Sequence, residues 1–193
     1  MRRLLLALPF ALLPLTAAHA EKDHDHAHGS LDAHEHGVAH LNVVLDDKTL
    51  ELELESPAMN LVGFEHAANS AADKAKVAAV RKQLEQPLTL FGLANAAQCT
   101  ETDEALESPL FDDAPSDDDA TDDHHAAHEH EHEHSEIRAH YQLTCEQPGK
   151  LANLDLGPLF KAFPATQKIT VQLIGPNGQK GLEATPNKAT VAF

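Results

Sequence analysis

The run Leu50-Glu51-Leu52-Glu53-Leu54-Glu55 alternates apolar and acidic residues with a strict period of two. A helix would scatter these leucines around its circumference, whereas an extended chain places them all on one side. Just upstream, Leu41, Val43 and Leu45 alternate in the same way, and Asp46-Asp47-Lys48 lies between the two runs as a turn. The pattern predicts a β-hairpin with one buried face. Such a hairpin must belong to a larger sheet with a layer packed on its apolar side.

Other segments carry comparable signals. Ser70 with Asp73 three residues later is a capping box, opening a helix on which Val77, Val80 and Leu84 share a face and which Pro87 stops. Ile137, Ala139, Tyr141, Leu143 and Cys145 alternate as another strand. Leu159, Phe160 and Phe163 suggest a short helix begun near Pro158, and Ile169, Val171 and Leu173 a further strand. Gly175-Pro176-Asn177-Gly178 is a turn, followed by a final strand pair near Leu182 to Ala184 and Thr190 to Phe193. Five or six strands, mostly joined by hairpins, and two or three helices make an α+β fold. Its sheet is expected to be mostly antiparallel or mixed and covered by helices. Strict βαβ alternation is missing, which argues against a Rossmann-type sheet, and no repeat of solenoid length is visible.

Charge divides the chain sharply. The 193 residues carry 14 Lys+Arg against 31 Asp+Glu. Nucleic acids and anionic membrane surfaces are therefore poor partners, since their binding needs Lys and Arg against phosphates. Between Glu101 and Glu136 lie fifteen acids, six histidines and no Lys or Arg. Its centre, Asp112-Asp113-Ala114-Pro115-Ser116-Asp117-Asp118-Asp119, cannot bury apolar area and repels itself. A disordered insert is expected over residues 101–133.

At the N-terminus, Arg2 and Arg3 precede the apolar run Leu4 to Leu15, and Ala18-His19-Ala20 has the small-x-small cleavage pattern. Residues 1–20 read as a secretory signal peptide cut after Ala20, because a run broken by Pro9 and Pro14 is too short to span ~30 Å of hydrocarbon. No membrane insertion is expected after cleavage. Residues 21–36 form a polar, His-rich tract, expected to be mobile until metal binds, and residues 37–193 a single domain. Export implies an oxidising compartment, so Cys99 and Cys145, the only cysteines, are expected to form a disulfide. A pair of metal thiolates is the other reading, but their separation lacks the CxxC spacing of zinc sites.

Fifteen histidines are far more than such a chain needs for structure. One cluster holds His24, His26 and His28, then His34 and His36, with His40 beyond; the second holds His124, His125, His128, His130, His132 and His134. In an extended chain, residues i and i+2 point to one side with Cα atoms about 6.6 Å apart. Two imidazoles of an HxH pair can thus meet on one ion, while Glu129, Glu131 and Glu133 lie on the opposite side and attract the cation. Imidazole suits zinc, nickel and copper(II). Copper(I) is disfavoured, because Met59 is the only methionine after the initiator and the cysteines are expected to be oxidised. For a single HxH a solvated, functionless loop is the plainer reading; two tracts in an exported acidic chain point to metal binding.

Several ordered segments resemble a known family. They are His34-Glu35-His36-Gly37-Val38-Ala39, Leu52-Glu53-Leu54-Glu55-Ser56-Pro57-Ala58, and Asn60-Leu61-Val62-Gly63-Phe64-Glu65-His66-Ala67, with His134-Ser135-Glu136, Tyr141-x-Leu143-x-Cys145 and Phe163-Pro164 through Pro176 further on. Together these resemble the zinc-regulated, His-rich periplasmic zinc-uptake proteins of Gram-negative bacteria, the ZrgA-like family. The resemblance implies a periplasmic protein that binds Zn2+ and assists its uptake, with an α/β/α sandwich around a His-rich insert. Carried onto this chain, it implies an ordered site at His34, His36, His66 and His134. Glu65 and Glu136 would be ligands or outer acceptors that fix an imidazole tautomer. His140 shares the polar side of its strand with Glu136 and is an additional candidate ligand, although a solvent-facing strand histidine is the plainer reading.

The function expected from this is zinc binding for uptake or buffering, with one ordered site and labile His/Glu tracts. Zinc would be the ligand, and the periplasmic zinc-binding component of an importer a partner. A nickel or copper(II) resistance buffer shares the same donor chemistry. A zinc hydrolase is the third reading, but His66 and Glu65 do not form HExxH and no GxSxG elbow is present. The chain is therefore expected not to be an enzyme.

Overall fold

The structure is a computed structural model and describes residues 34–111 and 135–193, all within the compact unit His34–Phe193. The predicted hairpin forms from β1 (Val38–Asp46) and β2 (Thr49–Pro57), paired from His40 opposite Glu55 to Asp46 opposite Thr49. Its two-residue turn has Asp47 in the left-handed region (φ 50°), which Asp tolerates better than most residues. The chain continues through α1 (Ala58–Leu61), α2 (Ala71–Leu84), α3 (Pro87–Leu90), β3 (Cys99–Glu107) and β4 (Glu136–Cys145). Then come β5 (Asn153–Asp155), α4 (Gly157–Ala162), β6 (Lys168–Gly175), β7 (Gly178–Ala184) and β8 (Thr190–Ala192). Six strands make one sheet in the order β3-β4-β2-β1-β6-β7, and β5 pairs with β8 apart from it. Within the large sheet β1 and β6 run parallel and every other pair antiparallel, so the sheet is mixed.

One face of this sheet is the core. Leu41, Val43, Leu50, Leu52, Leu54, Ile137, Tyr141, Leu143, Ile169 and Val171 are buried at alternate strand positions, in one cluster with Val77, Val80 and Leu84 of α2 and Leu159 and Phe160 of α4. The α2 start has the predicted capping box: Ser70 Oγ accepts from Asp73 N–H at 3.0 Å, and the Asp73 carboxylate accepts from Ser70 N–H at 3.3 Å. At the other end, the Tyr141 hydroxyl donates to the Leu84 carbonyl at 2.9 Å, giving a buried phenol and a helix-end carbonyl one partner each. Burial drives the Tyr141 pKa far above its ordinary value.

The other face changes the expected architecture. Asn42, Glu53, Arg138, His140 and Gln172 are exposed on it, and no helix covers it among the described residues. Among the described residues the arrangement is two layers, helices on one side of a mixed sheet, without the second helical layer of an α/β/α sandwich. The physical reason lies in the strands themselves: their polar-apolar alternation supplies apolar surface on one side only.

Two further expectations need correction. The insert is expected from residue 101, yet Cys99–Glu107 is strand β3, paired along β4. As an edge strand it buries little, so its acids other than the half-buried Glu104 can stay exposed to water while its backbone is paired. Residues 108–111 follow as a turn, and residues 112–133 of the insert lie outside the described residues. The final strand pair is also divided: β7 extends the large sheet beside β6, while β8 joins β5. The disulfide links Cys99 and Cys145, which are cross-strand partners at one end of the β3-β4 pair.

Candidate metal centre

The N-terminal end of β1 is positioned by a buried asparagine. Gly37, immediately after His36, adopts φ 87° and donates its N–H to Asn60 Oδ1 at 2.6 Å. The Asn60 amide in turn donates to the Val38 carbonyl at 2.9 Å and to Ser56 Oγ at 3.2 Å. The Gly37 carbonyl accepts from Gln167 and Lys168 N–H groups at the start of β6. This left-handed turn, which a side chain would strain, sends His34 and His36 back over the sheet end.

A second left-handed glycine, Gly63 (φ 83°), ends α1 with its N–H on the Ala58 carbonyl at 3.3 Å. The chain then runs through Phe64, Glu65 and His66. Ser135 fixes this segment from the start of β4: its hydroxyl donates to the Glu65 carbonyl at 2.9 Å, and its own carbonyl accepts from Ala58 N–H at 2.8 Å. The sheet end where β1, β4 and β6 begin and β2 finishes therefore gathers three chain segments.

Glu65 is the centre of that gathering. Its Oε1 lies 3.0 Å from His34 Nε2 and 3.0 Å from His36 Nε2. The two imidazole rings stack with centroids 5.5 Å apart. His34 is largely buried and His36 half exposed, so the group opens to solvent on the His36 side. Beyond His34, the Glu136 carboxylate stands 3.7 Å from Nδ1 and also meets Arg138 at 3.2 Å. Arg138 reaches Glu55 as well, at 3.3 Å, and these carboxylates, Glu55 foremost, hold its guanidinium pKa above the ordinary value.

One donor atom from each of His34, His36 and Glu65 lies within 4.8 Å of the other two. A tetrahedral zinc shell with bonds of about 2.1 Å needs donors about 3.4 Å apart. Small rotations of the two imidazoles would meet that requirement, and an N2O donor set is one zinc accepts. Three protein donors leave a fourth position for water or an incoming ligand.

Comparison with known protein families finds a match to the ZrgA family zinc uptake proteins over residues 33–193. The chain belongs to that family. Among curated proteins there is no match. The family match spans every described residue, so the His34-His36-Glu65 group lies inside the family domain.

The predicted donors separate once placed. His34 and His36 come together with Glu65, and Glu136 stands behind His34. His66 is outside the group: its ring stacks on Phe64 at 4.7 Å and its Nδ1 lies 3.0 Å from the Ala67 carbonyl. His40 and His140 are exposed on the open face, opposite Glu55 and Glu53 respectively, and neither joins a three-donor group among the described residues. His24, His26, His28, His124, His125, His128, His130, His132 and His134 lie outside the described residues, as do residues 1–20, expected to be a signal peptide. Asn60 and Ser135 hold the segments that carry this group, and the sequence pattern does not single them out. Both stand in segments that resemble the family, but a short polar residue in a motif says nothing of the distant backbone it will bond.

Proposed function

We propose that this chain is a periplasmic zinc-binding protein that takes up zinc at His34, His36 and Glu65 and passes it on for import. The observation that carries the reading is the three-donor group itself, an open-sided N2O set in a zinc uptake family. An open fourth position suits cargo better than a structural zinc, which four protein donors normally close. A ligand from outside can then bind before the protein donors leave. The histidine tracts end at this place in the chain: residues 21–36 include His34 and His36 themselves, and residues 124–134 run into Ser135. Their many HxH pairs supply weak donors at high local concentration, so they serve as the buffer that feeds the ordered site. The choice of zinc over nickel or copper(II) rests on the family. The periplasmic address rests on the signal-like residues 1–20, and among the described residues no helix is long and apolar enough to cross a membrane.

The reading is of a binding protein and not a hydrolase. Glu65 touches both imidazoles, which suits a ligand; a catalytic base would be held off the metal. The test is zinc titration of the chain lacking residues 1–20, in competition with a chromophoric chelator. Glu65→Gln should weaken the tightest site by at least about 10- to 100-fold, the loss already typical of changing an outer partner of a metal ligand. Unchanged tight binding in this variant would place the principal site elsewhere.

A further inference from the structure

The two oxygens of Glu136 are divided between two partners. Oε1 faces His34 Nδ1 at 3.7 Å, and Oε2 meets the Arg138 guanidinium at 3.2 Å. Arg138 stands two residues along β4, on the same side of the strand, and reaches across to its register partner Glu55 at 3.3 Å. It therefore sits between two carboxylates on the open face of the sheet, with Glu107 as its register partner on the other flank. The His34 ring presents opposite edges to the two acids, with Nε2 toward Glu65 and Nδ1 toward Glu136.

A carboxylate bonded to the far nitrogen of a metal-binding imidazole orients the ring and makes the near nitrogen a stronger donor. At 3.7 Å, Glu136 is beyond hydrogen-bond range of Nδ1. The guanidinium holds its other oxygen and offsets its charge. We infer that Arg138 is a positioning residue that keeps Glu136 a weak outer partner of His34, and so limits how tightly the site holds a divalent cation. A site that must surrender its ion gains from such a brake, because release is faster from weaker donors. This rests on the proposed zinc site, and concerns its regulation.

The test uses the whole chain without residues 1–20. Zinc alone is the probe, with the tightest site read by chelator competition and release timed after adding excess chelator. Arg138→Gln should tighten the site about 3- to 10-fold and slow release in proportion, as Glu136 closes on Nδ1. In a Glu136→Gln background the same change should have no effect. A merely structural Arg138 predicts weaker binding on substitution, and that result, or no change, overturns the inference. Equal tightening with and without Glu136 also overturns it, since simple repulsion between the guanidinium and the cation would then be the whole effect. If Glu65→Gln binds zinc as the parent does, the zinc site itself is misassigned, which is a separate failure seen before Arg138 is varied.

Discussion

The two ends of β4 hold their neighbours by different means. At its last residue Cys145 is bonded to Cys99, a covalent link between adjacent strands, with Cys145 N–H on the Lys48 carbonyl at 2.7 Å. At its start, Glu136 and Ile137 pair with Pro57 and Ser56 of β2, and Ser135 and Glu136 add one hydroxyl, one backbone carbonyl and ion pairs at least partly open to water, with no covalent link. Exposed ion pairs add little stability, about 0–1 kcal/mol each. The disulfide fixes one end covalently, whereas the contacts of Ser135 and Glu136 at the other are all non-covalent. The proposed zinc site lies at the second kind of end, where a change of partners breaks no covalent bond.

The largest break in that comparison is the disulfide. The cysteines are 46 residues apart, and cross-linking over that span restricts the unfolded chain by about 4 kcal/mol in the loop-entropy model. Replacing both with serine should lower the denaturant midpoint accordingly. Zinc affinity under native conditions should stay within about twofold, because the bridge is at the far end of the strand. A large loss of affinity in that variant would show that the two ends are coupled.

Asn60→Ala is the next test, since this one amide ties Gly37, Val38 and Ser56 together. Leaving those buried groups without partners should cost about 1–3 kcal/mol of stability. It should also weaken zinc binding, because Gly37 sets the direction of His36. Chemical denaturation of the metal-free protein, followed by titration of the folded variant, separates the two effects.

The smallest effect sharpens the disulfide end. A bulge between Glu101 and Asp103 leaves Glu101 opposite Leu143 and Glu104 opposite Tyr141, so both glutamates face the core side of the sheet edge. Burial first, then the hydrogen bond and charge of Glu101, push the Glu104 carboxyl from 4.5 up to about 7, with Glu85 adding and Arg81 opposing. The folded chain thus keeps a proton that the unfolded chain releases near pH 4.5. Stability contributed by this group is present below that pH and is lost as pH rises through about 7. Glu104→Gln should therefore match the parent near pH 4 and exceed it above pH 7. After discounting for partial exposure, the gain is on the order of 1 kcal/mol, measured by denaturation at pH 4 and pH 8.

Much of the frame was legible because its signals are local. The Leu50-Leu52-Leu54 alternation, the Ser70-Asp73 cap and the Ile137 to Cys145 strand each depend on neighbours in the chain. Strand β3 was hidden, since its seven residues from Glu101 on share the acid-rich composition of the segment after them, and only pairing along β4 gives them structure. His34 and His36 were legible as candidate donors by residue type and spacing. That Glu65 is the carboxylate that meets them was harder to see. Glu65 and His66 are adjacent and equally suited to metal, yet one faces the imidazoles and the other stacks on Phe64.

The sequence by itself determined the chemistry: histidine and carboxylate donors, a cystine, strands with one apolar side, and helices to cover that side. Tertiary structure alone decided which donors meet. His34 and Glu65 are 31 residues apart, and Ser135 is 70 residues beyond Glu65. They converge because β1, β4 and β6 begin at one end of the sheet, where Gly37 and Gly63 turn the chain inward. Donor type is a property of a residue, but donor geometry is a property of the backbone that carries it across the fold.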